Sequence, residues 1–101
     1  MSFFIYAAQK EKTRIEYMLS KYLQQLKSLS RGSITVKRGR TNSYYYLKYR
    51  DGKKAYTDYL GKEGDRVQHI RTELEKRKHI EAMIVHLRNE LSLVNKVLEE
   101  T

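Results

Sequence analysis

Apolar residues recur over the first thirty positions at the alternating spacing of four and three that marks one face of a helix. Ile15, Leu19, Tyr22, Leu26 and Leu29 make the stripe; Ile5 and Ala8 extend it backwards, and Lys12 interrupts it. The pattern predicts a helix over about 3–30. Ser2 is placed to cap it. Gly32 is placed to end it, since glycine readily takes the left-handed conformation just past a helix.

Beyond Gly32 the period drops to two, the signature of strands. Ile34 and Val36 fall on one side of a first strand, with Ser33, Thr35 and Lys37 on the other. Gly39, Arg40, Thr41 and Asn42 read as a loop. Strands follow at about 43–50 and 53–60, joined by Asp51-Gly52 as a two-residue turn. That turn pairs 50 with 53, 48 with 55, 46 with 57 and 44 with 59. Alternation then gives one face Tyr45, Leu47, Tyr49, Tyr56 and Leu60, with Ile34 and Val36. Lys54 and Asp58 fall at its rim. The opposite face carries Tyr44, Tyr46, Lys48, Arg50, Lys53, Thr57 and Tyr59, aromatic and cationic together.

The period returns to that of a helix after Gly61-Lys62-Glu63-Gly64, with Asp65 and Gln68 spaced as a capping box. Ile70, Leu74, Ile84, Leu87, Leu91, Val94 and Leu98 form the stripe, interrupted by Arg77 and Glu81. A helix over about 65–99 would be on the order of 50 Å long, and the first roughly 40 Å. An antiparallel alignment that sets Leu29 beside Ile70 also sets Ile15 beside Ile84, and Ala8 beside Leu91. The expected fold class is therefore α+β: a single domain over 1–101, a long antiparallel helical hairpin with a three-stranded antiparallel sheet (about 32–62) inserted between the helices, αβββα. A second geometry, with the later helix laid across the sheet, satisfies the same stripes.

Composition narrows the function classes. The chain has 101 residues, a formal charge of +9, no Cys, no Pro and no Trp. Without Cys there are no disulfides and no thiolate metal site, which fits a reducing, cytoplasmic setting. No apolar run approaches membrane-spanning length, and the first eight residues lack a basic leader. The charge is not spread evenly. Residues 31–62 carry nine basic and two acidic groups, whereas 63–101 carry seven and eight. A localised positive field attracts polyanions, above all nucleic acid.

The candidate chemistry follows from that field. Phosphates need cations, and unstacked bases need flat aromatic faces. Lys48, Arg50 and Lys53 would supply the first and Tyr44, Tyr46 and Tyr59 the second, with Lys37, Arg38 and Arg40 reaching a backbone from the first strand and loop. No catalytic, metal or cofactor constellation accompanies them. His69, His79 and His86 lack the i, i+3 or i, i+4 spacing of helical metal pairs, and His86 with Glu90 reads as an exposed helical pair. Glycine loops for phosphate and nucleophile elbows do not occur. Tyr46 with Tyr59-Leu60-Gly61, followed by Arg66 or Arg71, resembles the signature of the GIY-YIG nucleases. That fold needs a further strand and a metal-binding Glu after its helix, and here one helix takes all the residues after 65. The expectation is a protein that is not an enzyme.

Gly32-Ser33-Ile34, the run Tyr44-Tyr45-Tyr46-Leu47-Lys48-Tyr49-Arg50-Asp51-Gly52, and Tyr59-Leu60-Gly61-Lys62 together resemble a family of short uncharacterised bacterial, archaeal and phage proteins. Similar hairpins open some transposase-like proteins of mobile elements. The resemblance covers roughly residues 30–80 and implies a phage or mobile-element setting. The leading expectation is nucleic-acid binding through the exposed sheet face. Two others stand beside it: an anti-CRISPR type of inhibitor that binds a nucleoprotein complex, a nucleic-acid-guided nuclease or its guide RNA, and a coiled-coil adaptor that forms a homodimer through the helices.

Overall fold

The computed structural model describes residues 2–100. It runs α1 (Phe3–Leu26), β1 (Ser33–Arg38), β2 (Ser43–Asp51), β3 (Lys54–Gly61) and α2 (Asp65–Glu99). The sheet is antiparallel throughout, in the order β1-β2-β3. This is the αβββα arrangement of the α+β class that the periodicities predict.

α1 starts as expected, with Ser2 Oγ accepting from Phe4 N at 3.1 Å. It ends sooner than Gly32. Lys27 N and Ser28 N turn back to the carbonyls of Gln24 and Gln25 at 3.2 and 3.1 Å. Ser28 Oγ also donates to Gln25 O at 2.9 Å, a side-chain bond that competes with further helix. Gly32 has a different task, at the entry to β1. Its φ is +104°, and a Cβ there would stand 2.0 Å from the Lys48 carbonyl oxygen. Glycine lets this backbone lie directly against β2.

The chain divides into two compact units. One holds the residues up to Ser28 with those from His79 on; the other is Leu29–Lys78. In the helical unit the seam positions are the covered ones. Ile15 is fully buried, Ile80, Ile84 and Leu87 nearly so, and Ile5, Ala8, Leu19, Tyr22, Leu26, Leu91 and Val94 are half-buried. Ile80 belongs to this core although the sequence stripe omits it. Neither helix can bury its apolar stripe by itself, so each depends on what covers it.

The second unit is the sheet with the first turns of α2. Leu47, Leu60 and Val67 are buried together, with Ile34, Tyr45, Tyr49, Ile70 and Leu74 packed around them. Here the first turns of α2 pack on the sheet, while its residues from His79 on belong to the helical unit. The packing also corrects the helix alignment. Arg77 Nη1 donates to Leu29 O at 3.3 Å, and Ser30 N donates to Glu73 Oε1 at 3.1 Å. The expected partner of Leu29, Ile70, is thus replaced by residues about one and two turns further on. Ile70 and Leu74 are already committed to the sheet.

The β2–β3 register is likewise two residues from the expected one. Asp51 pairs with Lys54, Tyr49 with Tyr56, Lys48 with Thr57 and Tyr46 with Tyr59. The turn is therefore Gly52-Lys53, not Asp51-Gly52. Gly52 has φ +63°, and no residue other than glycine has a positive φ among those described. Glycine first and an ordinary residue second is the type II′ arrangement, which matches strand twist as well as type I′ does. An irregularity between Tyr45 and Tyr46 then sets Tyr45 opposite Gly61.

A clamp ties the turn after β3 to α2. Glu63 accepts from both Arg71 terminal nitrogens at 2.8 and 3.1 Å and from Gln68 Nε2 at 2.8 Å. Gln68 therefore serves Glu63, and the predicted box with Asp65 does not form; Gly64 O accepts the Gln68 N–H instead, at 3.0 Å. The Arg71 guanidinium, 5.3 Å from the Tyr45 ring, holds the Glu63 carboxyl below the usual carboxylate range by direct hydrogen bonding.

Candidate nucleic-acid interface

Alternation along three paired strands decides which side chains share the uncovered face. In β1, Ser33, Thr35 and Lys37 lie opposite Lys48, Tyr46 and Tyr44. In β3, Ala55, Thr57 and Tyr59 lie opposite Arg50, Lys48 and Tyr46. These residues form one surface, because directly paired residues point to the same side. Val67, Ile70 and Leu74 pack on the other side, with Ile34, Tyr45, Leu47 and Tyr49.

The tyrosines on the uncovered face touch. Tyr59 lies 5.3 Å from Tyr46 and 6.4 Å from Tyr44, centroid to centroid, tilted at 54° and 38°. Lys37 places its ammonium 5.5 Å from the centre of the Tyr46 ring. Tyr59 is 51% exposed, and Lys37, Lys48, Arg50 and Thr57 are exposed. Three tilted rings thus stand among three cations. Both carboxylates of the hairpin fall on the opposite face: Asp51 pairs with Lys54 and lies 3.5 Å from Arg31, and Asp58 pairs with Leu47. Asp58 there acts on Tyr49, whose phenol is pushed up first by loss of water and then by that charge. The uncovered face therefore carries cations and no carboxylate.

The remaining expected residues are placed differently. Lys53 is in the turn, where the shifted register puts it. Arg38 pairs with Ser43, on the side of Ile34 and Val36. Alternation in β1 already implies this, since 34, 36 and 38 share one parity. Arg40 sits in the 39–42 loop, closed by Gly39 N donating to Asn42 O at 2.8 Å. Lys37 is the reverse case: expected at the edge, it lies within the tyrosine cluster. Thr35, opposite Tyr46, completes the face and carries no signal beyond its parity.

Other chemistry has less support in the geometry. His69 Nε2 lies 2.8 Å from Glu73 Oε2, and His86 Nε2 3.2 Å from Glu90 Oε1, each an i, i+4 pair along α2. Among the described residues no three His, Cys, Asp or Glu side chains come close enough to hold a metal ion. No strand follows α2 among them, so the further strand that a GIY-YIG nuclease fold needs does not occur there. Among the described residues no helix is long and apolar enough to cross a membrane.

The sequence profile of the family described as Domain of unknown function (DUF6788) matches residues 8–69. The chain belongs to this family. No curated protein and no solved structure matches it. The DUF6788 span takes in most of α1, all three strands and the first residues of α2. The entire uncovered face, Ser33 to Tyr59, lies inside the region shared with the family.

Proposed function

We propose that this DUF6788 protein binds nucleic acid on the uncovered sheet face and is not an enzyme. The observation that carries the reading is the segregation of charge across the hairpin: Lys37, Lys48 and Arg50 surround Tyr44, Tyr46 and Tyr59, and the carboxylates lie behind. Cations offer phosphate contacts, and exposed rings offer stacking worth about 1–3 kcal/mol per base. Lys37 over Tyr46 suggests an order of events. A base that takes the ring face displaces the ammonium, which is then free for a phosphate. The resemblance of the hairpin to those of phage and mobile-element proteins supports a setting of that kind.

A salt titration of binding to single- and double-stranded oligonucleotides tests the reading. Replacing Lys37, Lys48 and Arg50 by Glu should flatten the dependence of log K on log salt by about 0.7 to 0.9 for each phosphate no longer engaged. Tyr46→Ala should weaken single-strand binding at every salt concentration. An unchanged slope in the triple variant, or no binding by the natural protein at low salt, would refute it. Binding only to an assembled nucleoprotein complex would favour the inhibitor reading instead.

A further inference from the structure

The helical unit repeats the chemistry of the sheet on a different element. Opposite the buried Ile15, α1 turns Tyr6, Lys10, Thr13, Tyr17 and Lys21 outward, spaced 4, 3, 4 and 4, with Phe3 before them. Lys10 holds its ammonium 5.2 Å from the centre of the Tyr6 ring, and Lys21 does the same at 5.5 Å from Tyr17. Tyr6 and Tyr17 are 48% and 63% exposed, and Phe3 is 83% exposed. Of the two carboxylates of α1, Glu16 lines the groove with Leu19 and Leu91, and Glu11 borders the same hollow as Tyr6, Lys10 and Tyr17 but is paired with Arg14 at 2.5 Å. From Tyr6 to Lys21 the strip runs roughly 22 Å along the helix.

We infer that this outer strip of α1 is a second contact surface for a single-stranded polynucleotide, in addition to the sheet face. Charge and chemistry select the occupant. A second copy of the same strip would set lysine against lysine. A lipid surface asks for a broad aliphatic face with its cations at the margin; here Lys10 and Thr13 lie between the aromatic rings. A polyanion with unpaired bases meets both requirements, cations at intervals and rings between them. The inference rests on the nucleic-acid reading above, but on residues that reading does not use.

The test compares two variants of the full chain in binding a fluorescent thirty-nucleotide oligo(dT). Lys10→Glu/Lys21→Glu should lower the steepness of the log K against log salt line by about 1.4, two single-strand phosphates. Tyr6→Ala/Tyr17→Ala should weaken binding on the order of tenfold or more. Circular dichroism checks that α1 is retained; if Glu unfolds it, Lys10→Gln/Lys21→Gln reads the same slope. If both α1 variants bind as the natural chain does while the sheet-face variants lose affinity, the second surface is refuted and the first stands. No binding by the natural chain overturns both. Strip-dependent binding to anionic phospholipid vesicles, with oligo(dT) affinity unaltered, would assign the strip to a membrane and overturn the inference.

Discussion

Gly32→Ala is the sharpest test of the sheet unit. Two separate costs meet at this position. The backbone is at φ +104°, where an L side chain costs about 1–2 kcal/mol. The new Cβ would also lie 2.0 Å from the Lys48 oxygen and 2.8 Å from the Tyr49 Cβ. Neither neighbour is the free end of a flexible side chain, so β1 has to move away from β2. Overpacking of this kind costs about 1–3 kcal/mol, and a lost ladder bond about 1 more. Together these predict a loss of about 3–6 kcal/mol, a large share of the roughly 5–15 typical of a domain. Gly61→Ala is the control that separates the terms. Its φ is +95°, but nothing lies within 4 Å of the added carbon. It should cost only the strain, about 1–2 kcal/mol. Urea unfolding followed by far-ultraviolet circular dichroism measures both. If the two variants fall within about 0.5 kcal/mol of each other, less than one net hydrogen bond, the close approach of Gly32 to β2 is wrong.

Other outcomes follow from the same geometry. Leu47→Ala opens the buried cluster with Leu60 and Val67 and should cost about 2–5 kcal/mol in the same unfolding assay. Glu73→Ala removes the acceptor of the Ser30 N–H, at a cost of about 1–3 kcal/mol, and should speed hydrogen exchange of that amide. Because the fold lowers the Glu63 carboxyl, mainly through Arg71, the unfolded chain holds that proton more tightly. The clamp should contribute fully above the ordinary carboxylate range and be lost as pH falls through the lowered value. Glu63→Gln should therefore be less stable than the natural chain at neutral pH, and the gap should close on acidification; a gap independent of pH would contradict the clamp.

Parity survives errors that register does not. The expected register is two residues out, yet Tyr44, Tyr46, Lys48, Arg50 and Tyr59 still share one face, because a shift of two leaves every side chain on its side of the pleat. Lys53 changes place because Asp51-Gly52 and Gly52-Lys53 both make good two-residue turns, of different type. The irregularity at Tyr45 and Tyr46 has no mark in the sequence that separates it from regular strand. The helix stripes are legible for a similar reason: Ile15 and Ile84 are buried whatever the alignment. The alignment itself is not, since a stripe slid along another by whole turns meets an equivalent row of apolar residues. What decides it is competition, with the sheet claiming Ile70 and Leu74 before Leu29 can. In the interface, Lys37 joins the cluster through its cross-strand neighbours, and no one-dimensional pattern shows a lysine reaching a ring two strand positions along.

The cluster of Tyr44, Tyr46 and Tyr59 also makes the protein its own optical probe. The chain has nine tyrosines and no tryptophan, so no indole drains their excitation. Rings 5.3 and 6.4 Å apart are close enough to exchange excitation, so a change at one should alter the emission of all three. A base laid on Tyr59 would quench the trio as a unit. Occupancy of the sheet face should then be readable from the ultraviolet emission of the unlabelled chain.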